Sequence, residues 1–267
     1  MSYTNYYPAS GMLHASIPWL MGTRMDALLF GDDRQQLENV WISIEAEIWR
    51  IEKMLNRFDS ESEVAKINDS AYLSAVCLSD ELWSIMLDCR RHHKDTAGYF
   101  DVTWTDFDKI ELIEATQCLH FNKQDMRLDF GGYGKGYALQ KVRRQLDEAG
   151  IKRALINFGN SSVLALSTHP FGDSWPVSIE TPSATGEQAV IQLCDASLSV
   201  SGNMPSREAH IINPKTAELI TGEQMVAVIS EDPVEAEALT TAWIASGSCE
   251  PPDWMLKYKV IKKYRIK

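Results

Sequence analysis

Leu37, Trp41, Ile44, Ile48, Ile51 and Leu55 recur at steps of three and four residues, the spacing of a helix with one apolar face. A stripe of that length must be buried against a second layer, so the rest of the chain has to supply one. "TRMDALLF" (23–30), followed by the turn-like "GDD", reads as a strand. "RALINFG", "SVLALS", "PVSIET", "AVIQL" and "SLSVSG" read as further short strands between turn residues. A second helix is predicted from Ser79 to His93, with Ser79 as N-cap and acids in its first turn. Asp232-Pro233-Val234-Glu235 combines a cap acid, a first-turn proline and a glutamate, so another helix starts there and runs to about Ser246. "FDSESEVAKIND" reads as a loop with one short helical turn, Met126–Phe130 as a strand, and residues 104–125 carry no assignable pattern. With no repeat and no linker, the expected architecture is α+β, one domain over residues 1–267, with mixed or antiparallel strands and several packed helices.

The formal net charge of -11 excludes a surface built broadly for nucleic acid or anionic membrane. The C-terminal tail is the exception, since Lys257, Lys259, Lys262, Lys263, Arg265 and Lys267 have no acid among them; it is read as an edge strand guarded by lysines. Five scattered cysteines without zinc spacing point to no disulfide framework, and a reducing compartment is expected. The first twenty residues lack the basic and apolar regions of a signal peptide, and no apolar run is long enough to span a membrane. The expectation is therefore a complete cytoplasmic protein, with oligomeric state undetermined.

"DFGGYGKGYALQ" (129–140) sets four glycines beside an acid and a lysine. Glycines at that density let backbone groups approach a ligand closely, or simply make a tight strand-to-helix turn. The spacing fits neither a dinucleotide fingerprint nor a P-loop, because Gly136 stands where the P-loop hydroxyl belongs. The helix that follows is expected to reach about Ala149, with Gly150 closing it. A lysine at a helix start opposes the helix dipole, so Lys135 calls for a phosphate or an acidic partner. Asp129 suits ligand contact and turn capping equally.

"LDFGGYGKGYALQ", "INFGN", "VSGN", "HIINPKTA" and "EAEALTTAWIASG" together resemble, in order, the motif series of the ApbE family of FAD:protein FMN transferases. "MGTRMDALLF", "RFDSESEVAKIN" and "GYFDVT" extend the resemblance, which covers about Met21 to Gly247. The resemblance implies an ApbE-like, T-fold-related domain that binds FAD as donor substrate together with Mg²⁺. Such an enzyme moves FMN onto a Ser or Thr hydroxyl of a flavoprotein acceptor and releases AMP. Matched by position, it implies flavin-nucleotide contacts from Met21, Phe58, Tyr99, Phe100, Asp101, Asp129, Lys135 and Ile211. Magnesium ligands would be the Gly132 carbonyl, Glu237 and the hydroxyl of Thr240 or Thr241, with His210 near the pyrophosphate as general base.

The residue chemistry reads both ways. Glu237 and Thr241 share a helix face and suit a hard cation, yet a mid-helix threonine also bonds back to its own helix. Tyr99 and Phe100 serve equally as core and as a flavin wall. His210 lies in an apolar stretch where a histidine is either a core residue or a base. His92-His93 is read as a solvated helix end. The chain departs from the family pattern at Glu237, where an aspartate is usual, and in "AHIINPKTA", which replaces a histidine, an aspartate and a glycine. Two alternatives follow: an FAD pyrophosphatase giving FMN and AMP, or an FAD-binding protein with weakened catalysis.

Overall fold

The computed structural model describes residues 2–181, 188–203, 211–222 and 224–266. The chain opens with β1 (Tyr3–Tyr7), β2 (Met12–Leu20) and β3 (Thr23–Phe30), joined as antiparallel hairpins. α1 (Arg34–Leu55) follows, its first turn capped by Asp33, whose carboxylate accepts from the Gln35 and Gln36 N–H groups. All six residues of the sequence stripe are buried on it. α2 (Glu63–Ser70) is an eight-residue helix where one turn was expected, because Ser62 caps it through the Ala65 N–H. Next come β4 (Val76–Cys77) and α3 (Asp80–Asp95), the latter capped by Ser79 as predicted. β5 (Ile110–Ile113) and β6 (Cys118–Phe121) complete a small sheet in the order β4-β6-β5.

α4 (Gly134–Glu148) then leads to β7 (Arg153–Phe158) and β8 (Ser162–Leu166). β9 (Trp175–Glu180) and β10 (Gln188–Leu193) form a separate hairpin, followed by β11 (Ala196–Asn203) and β12 (Gln224–Ser230). α5 (Pro233–Ala245) and β13 (Val260–Ile266) close the described chain. Eight strands make the main sheet in the order β1-β2-β3-β7-β8-β11-β12-β13, with every neighbouring pair antiparallel. Lys262, Lys263 and Arg265 of the lysine-rich tail lie on the edge strand β13, as the composition suggested.

Both faces of the sheet are covered, which explains why β8 is buried at every position. Leu164 and Leu166 join the helix-side core, while Val163 and Ala165 pack with Trp175, Val177 and Ile191 of the β9–β10 hairpin. β12 divides in the same way, Val226 and Val228 facing Leu239 and Trp243 of α5. α5 is apolar almost all round because it lies between the sheet and α4.

Three expectations are corrected. Met126–Phe130 is not a strand: Asn68 of α2 donates to the Leu128 carbonyl and accepts its N–H, supplying what a neighbouring strand would have given. Cys77 and Cys118, separated by 41 residues, face each other across the β4–β6 pair and form a disulfide, a pairing set by strand register that spacing does not reveal. His92 is not solvated but fully buried, hydrogen-bonded to the Tyr258 hydroxyl and packed edge-on against Phe100.

Gly136 brings α4 and α5 together: a Cβ there would stand 2.6 Å from the Pro233 carbonyl oxygen and 3.1 Å from Glu237 Cβ. Gly136→Ala is expected to lower stability by about 1–3 kcal/mol through overpacking. The control Gly172→Ala, whose Cβ meets nothing closer than 3.8 Å, should stay within about 0.5 kcal/mol of the parent. Chemical denaturation of both variants measures the difference.

Candidate active site

The glycine turn is built for close approach rather than for unusual backbone angles. Gly131, Gly132, Gly134 and Gly136 are all absent from the residues with positive φ. A Cβ on Gly132 would lie 2.8 Å from the Thr241 hydroxyl and methyl. The turn is instead held by Asp129, whose Oδ1 accepts the Gly131 N–H at 2.8 Å. The stretch is a tight turn, and it brings the Gly132 carbonyl against Thr241 of α5.

Lys135, on the first turn of α4, finds the acidic partner that its position called for. Its Nζ lies 2.8 Å from Glu237 Oε1 and 3.3 Å from the Gly131 carbonyl. Glu237 is 3% exposed, so its charge has to be met inside the protein. Ser162 Oγ of β8 donates to its other oxygen at 3.2 Å. Beside this pair, Thr241 Oγ1 is 3.4 Å from the Gly132 carbonyl.

From Lys135 and Gly134 a cavity of about 360 Å³ extends towards Trp19, Met21, Leu55 and Phe58, a volume suited to a small organic ligand. Met21 and Gly22 both have positive φ, 48° and 77°, in the two-residue turn between β2 and β3. Arg57 places its guanidinium 4.1 Å from the Phe58 ring centroid and 5.2 Å from that of Trp104. The same group pairs with Asp129 Oδ2 at 2.8 Å. Asp129 thus caps the turn and lines the cavity at once. Phe58 and Trp19 are exposed at the rim, 82% and 69%, leaving an aromatic surface open to a planar ligand.

Other sequence-predicted residues fall elsewhere. Phe100 is 1% exposed, tilted against Tyr133, with its N–H bonded to Thr96 and its carbonyl to His93. It serves the core and is not brought to the cavity. Thr240 is fully buried and bonds to Ser199 Oγ and to the Ala236 and Glu237 carbonyls. Of the two threonines, then, only Thr241 faces Gly132. Asp101 fastens its own loop, accepting from Thr103 N–H and Oγ1 at 2.7 Å and from Phe107 N–H; burial raises its carboxyl pKa. Tyr99 is half-buried, with Lys215 Nζ 4.5 Å from its ring centroid, which ties the 211–222 segment to this loop. Ile211 packs beside the α5–β12 core. His210 lies outside the described residues.

Sequence reasoning missed Ser162, Arg57, Trp104 and Glu52. Arg57 carried a signal, since it directly precedes Phe58 in "NRFDS". The others are joined to the site only by tertiary contacts. Among the described residues, no three His, Cys, Asp or Glu side chains cluster as a metal site. A cation here would have the Glu237 carboxylate, the Gly132 carbonyl and the Thr241 hydroxyl as candidate ligands. That all-oxygen set fits a hard divalent ion that keeps water or phosphate oxygens.

The chain matches the model of the ApbE family over residues 21–107 and 104–262. It is 22% identical to the FAD:protein FMN transferase of Klebsiella pneumoniae (strain 342), over 85% of this chain and 77% of that protein. To the protein of that name in Escherichia coli (strain K12) it is 23% identical, over 85% and 76%. Its fold is that of the flavin transferase ApbE from Vibrio cholerae, with a TM-score of 0.81 at 17% identity over 96% of this chain and 97% of the other. The ApbE protein of Thermotoga maritima superposes with a TM-score of 0.78 at 18% identity, over 96% and 91%.

Removing one partner of a buried ion pair strands the other. Lys135→Met is therefore expected to destabilise the ligand-free protein by about 3–5 kcal/mol. Adding Glu237→Gln to the same chain should recover most of that loss. A denaturant double-mutant cycle checks both values.

Proposed function

Because the chain belongs to the ApbE family, we propose that it transfers the FMN half of FAD to a serine or threonine hydroxyl of a flavoprotein acceptor, releasing AMP. The names borne by its relatives support the reaction. The observation that carries it is a cavity with exposed aromatic rings at its rim and Lys135, paired to the buried Glu237 behind it, in its wall. That combination suits a ligand made of flat heterocycles joined by a pyrophosphate.

The acceptor hydroxyl oxygen attacks the FMN-side phosphorus, the bond from that phosphorus to the bridging oxygen breaks, and AMP leaves with that oxygen. The hydroxyl proton passes to a base, a role we assign to His210 on sequence position. Lys135 Nζ turns from Glu237 to the pyrophosphate, holding the donor against the α4 N-terminus. Phe58 and Trp19 take a heterocycle face and shed water from it. Gly132, Glu237 and Thr241 would hold Mg²⁺, which supplies neutralisation of the charge on the phosphates when bound. Ser162 keeps the Glu237 carboxylate oriented, and Thr240 is left to the packing of α5 against β11.

The test is incubation with FAD, with and without Mg²⁺, in the presence of an acceptor protein, followed by chromatography of nucleotides and detection of covalent flavin. AMP release together with a labelled acceptor, both dependent on Mg²⁺, is the expected result. Glu237→Ala should lower the rate about 10- to 100-fold or more. AMP and free FMN without labelling would assign water as the acceptor, and intact FAD throughout would overturn the enzymatic reading.

A further inference from the structure

Glu52 lies on the last turns of α1 and lines the cavity together with Met21, Leu55 and Phe58. No motif pointed to it. One of its carboxylate oxygens, Oε2, is buried and has no hydrogen-bond partner among the described residues. Burial raises the carboxyl pKa, and the Met21 backbone N–H nearby offsets part of that rise. Neither Arg57 nor Lys135 satisfies it: the first is committed to Asp129 and the second to Glu237. A free acceptor just behind the wall of a binding cavity burdens the ligand-free fold, and a ligand donor relieves it once the carboxylate turns that oxygen towards the cavity.

We propose that Glu52 is a specificity-determining residue whose free oxygen accepts an N–H from the edge of the heterocycle seated between Met21 and Phe58. The inference rests on the transferase reading for the identity of the ligand. Oxidised isoalloxazine offers a single N–H, at N3 between two carbonyls, and adenine offers its exocyclic amino group. Both present an N–H in the ring plane, so the shared chemistry is a planar nitrogen donor. The surroundings match: Phe58 and Trp19 offer faces, Leu55 and Phe130 are apolar, and Glu52 is the acid on that part of the wall. Such an edge contact distinguishes a heterocycle from any flat apolar ring of the same size.

The experiment is fluorescence titration of the full chain in metal-free buffer with FAD, N3-methyl-FAD and the dinucleotide in which inosine replaces adenosine. Wild type is expected to bind one analogue about 10- to 100-fold more weakly than FAD, the range of a hydrogen bond to a charged group. Weak binding of the N3-methyl compound assigns the contact to isoalloxazine, and weak binding of the inosine compound to adenine. Glu52→Ala should bind FAD and the discriminated analogue equally well. Glu52→Gln, which removes the buried charge, should reduce the preference while melting no lower than wild type at neutral pH, so that lost preference is not lost fold. Equal binding of all three by wild type, or a preference that survives in Glu52→Ala, overturns this inference alone. Failure of wild type to bind FAD both in this buffer and with Mg²⁺ added overturns it together with the transferase reading.

Discussion

The carboxylate of Glu237 is buried in the seam between α4 and α5, and the arrangement of the site follows from the need to satisfy it. An isolated charge in that position is too costly to keep, so a cation and a hydroxyl come to it from two other elements. Lys135 arrives from the start of α4 and Ser162 from the middle of the main sheet. Lys135 reaches Glu237 only because the helices run close, and they run close because Gly136 leaves room for the Pro233 carbonyl. The same approach brings the Gly132 carbonyl to Thr241. One seam thus collects the carboxylate, the ammonium, a carbonyl and a hydroxyl.

The rest of the cavity is made differently. Its aromatic end comes from the end of β2 and from the segment after α1, with Phe58 and Trp19 open to solvent. Arg57 links the two regions, lying over Phe58 and Trp104 while reaching Asp129 beside the glycine turn. The ligand-free protein therefore already has a planar, charged group against the face of Phe58. A flat ligand must share that face or displace the guanidinium, whose pairing with Asp129 would keep it near the turn.

Much of this was legible in the sequence wherever a local signal governs structure. The stripe from Leu37 to Leu55, the Ser79 and Asp232 caps and the strand at 23–30 all appear where the pattern put them. Lys135 was flagged by an electrostatic conflict with its own helix, and the conflict is resolved by an acid 102 residues away. Failures came where a distant side chain replaces a local partner. Asn68 satisfies Leu128 as a strand would, so an extended segment reads as β without being in a sheet. The choice between Thr240 and Thr241 turns on which faces β11, and the disulfide turns on the register of β4 against β6. Glu52 had no signal at all, because an unpaired oxygen is a property of the folded cavity.

The fastening of Glu237 to Ser162 has a consequence for how such a chain can change over time. Ser162 stands on a strand covered on both faces, so the charged end of the cavity is anchored in the part of the molecule least tolerant of substitution. The aromatic rim is carried by the exposed end of β2 and by exposed loops, where replacements disturb little packing. Diversity in what approaches the site can accumulate at Trp19, Phe58 and Trp104 without altering the buried seam. The architecture separates the inheritance of chemistry from the exploration of partners.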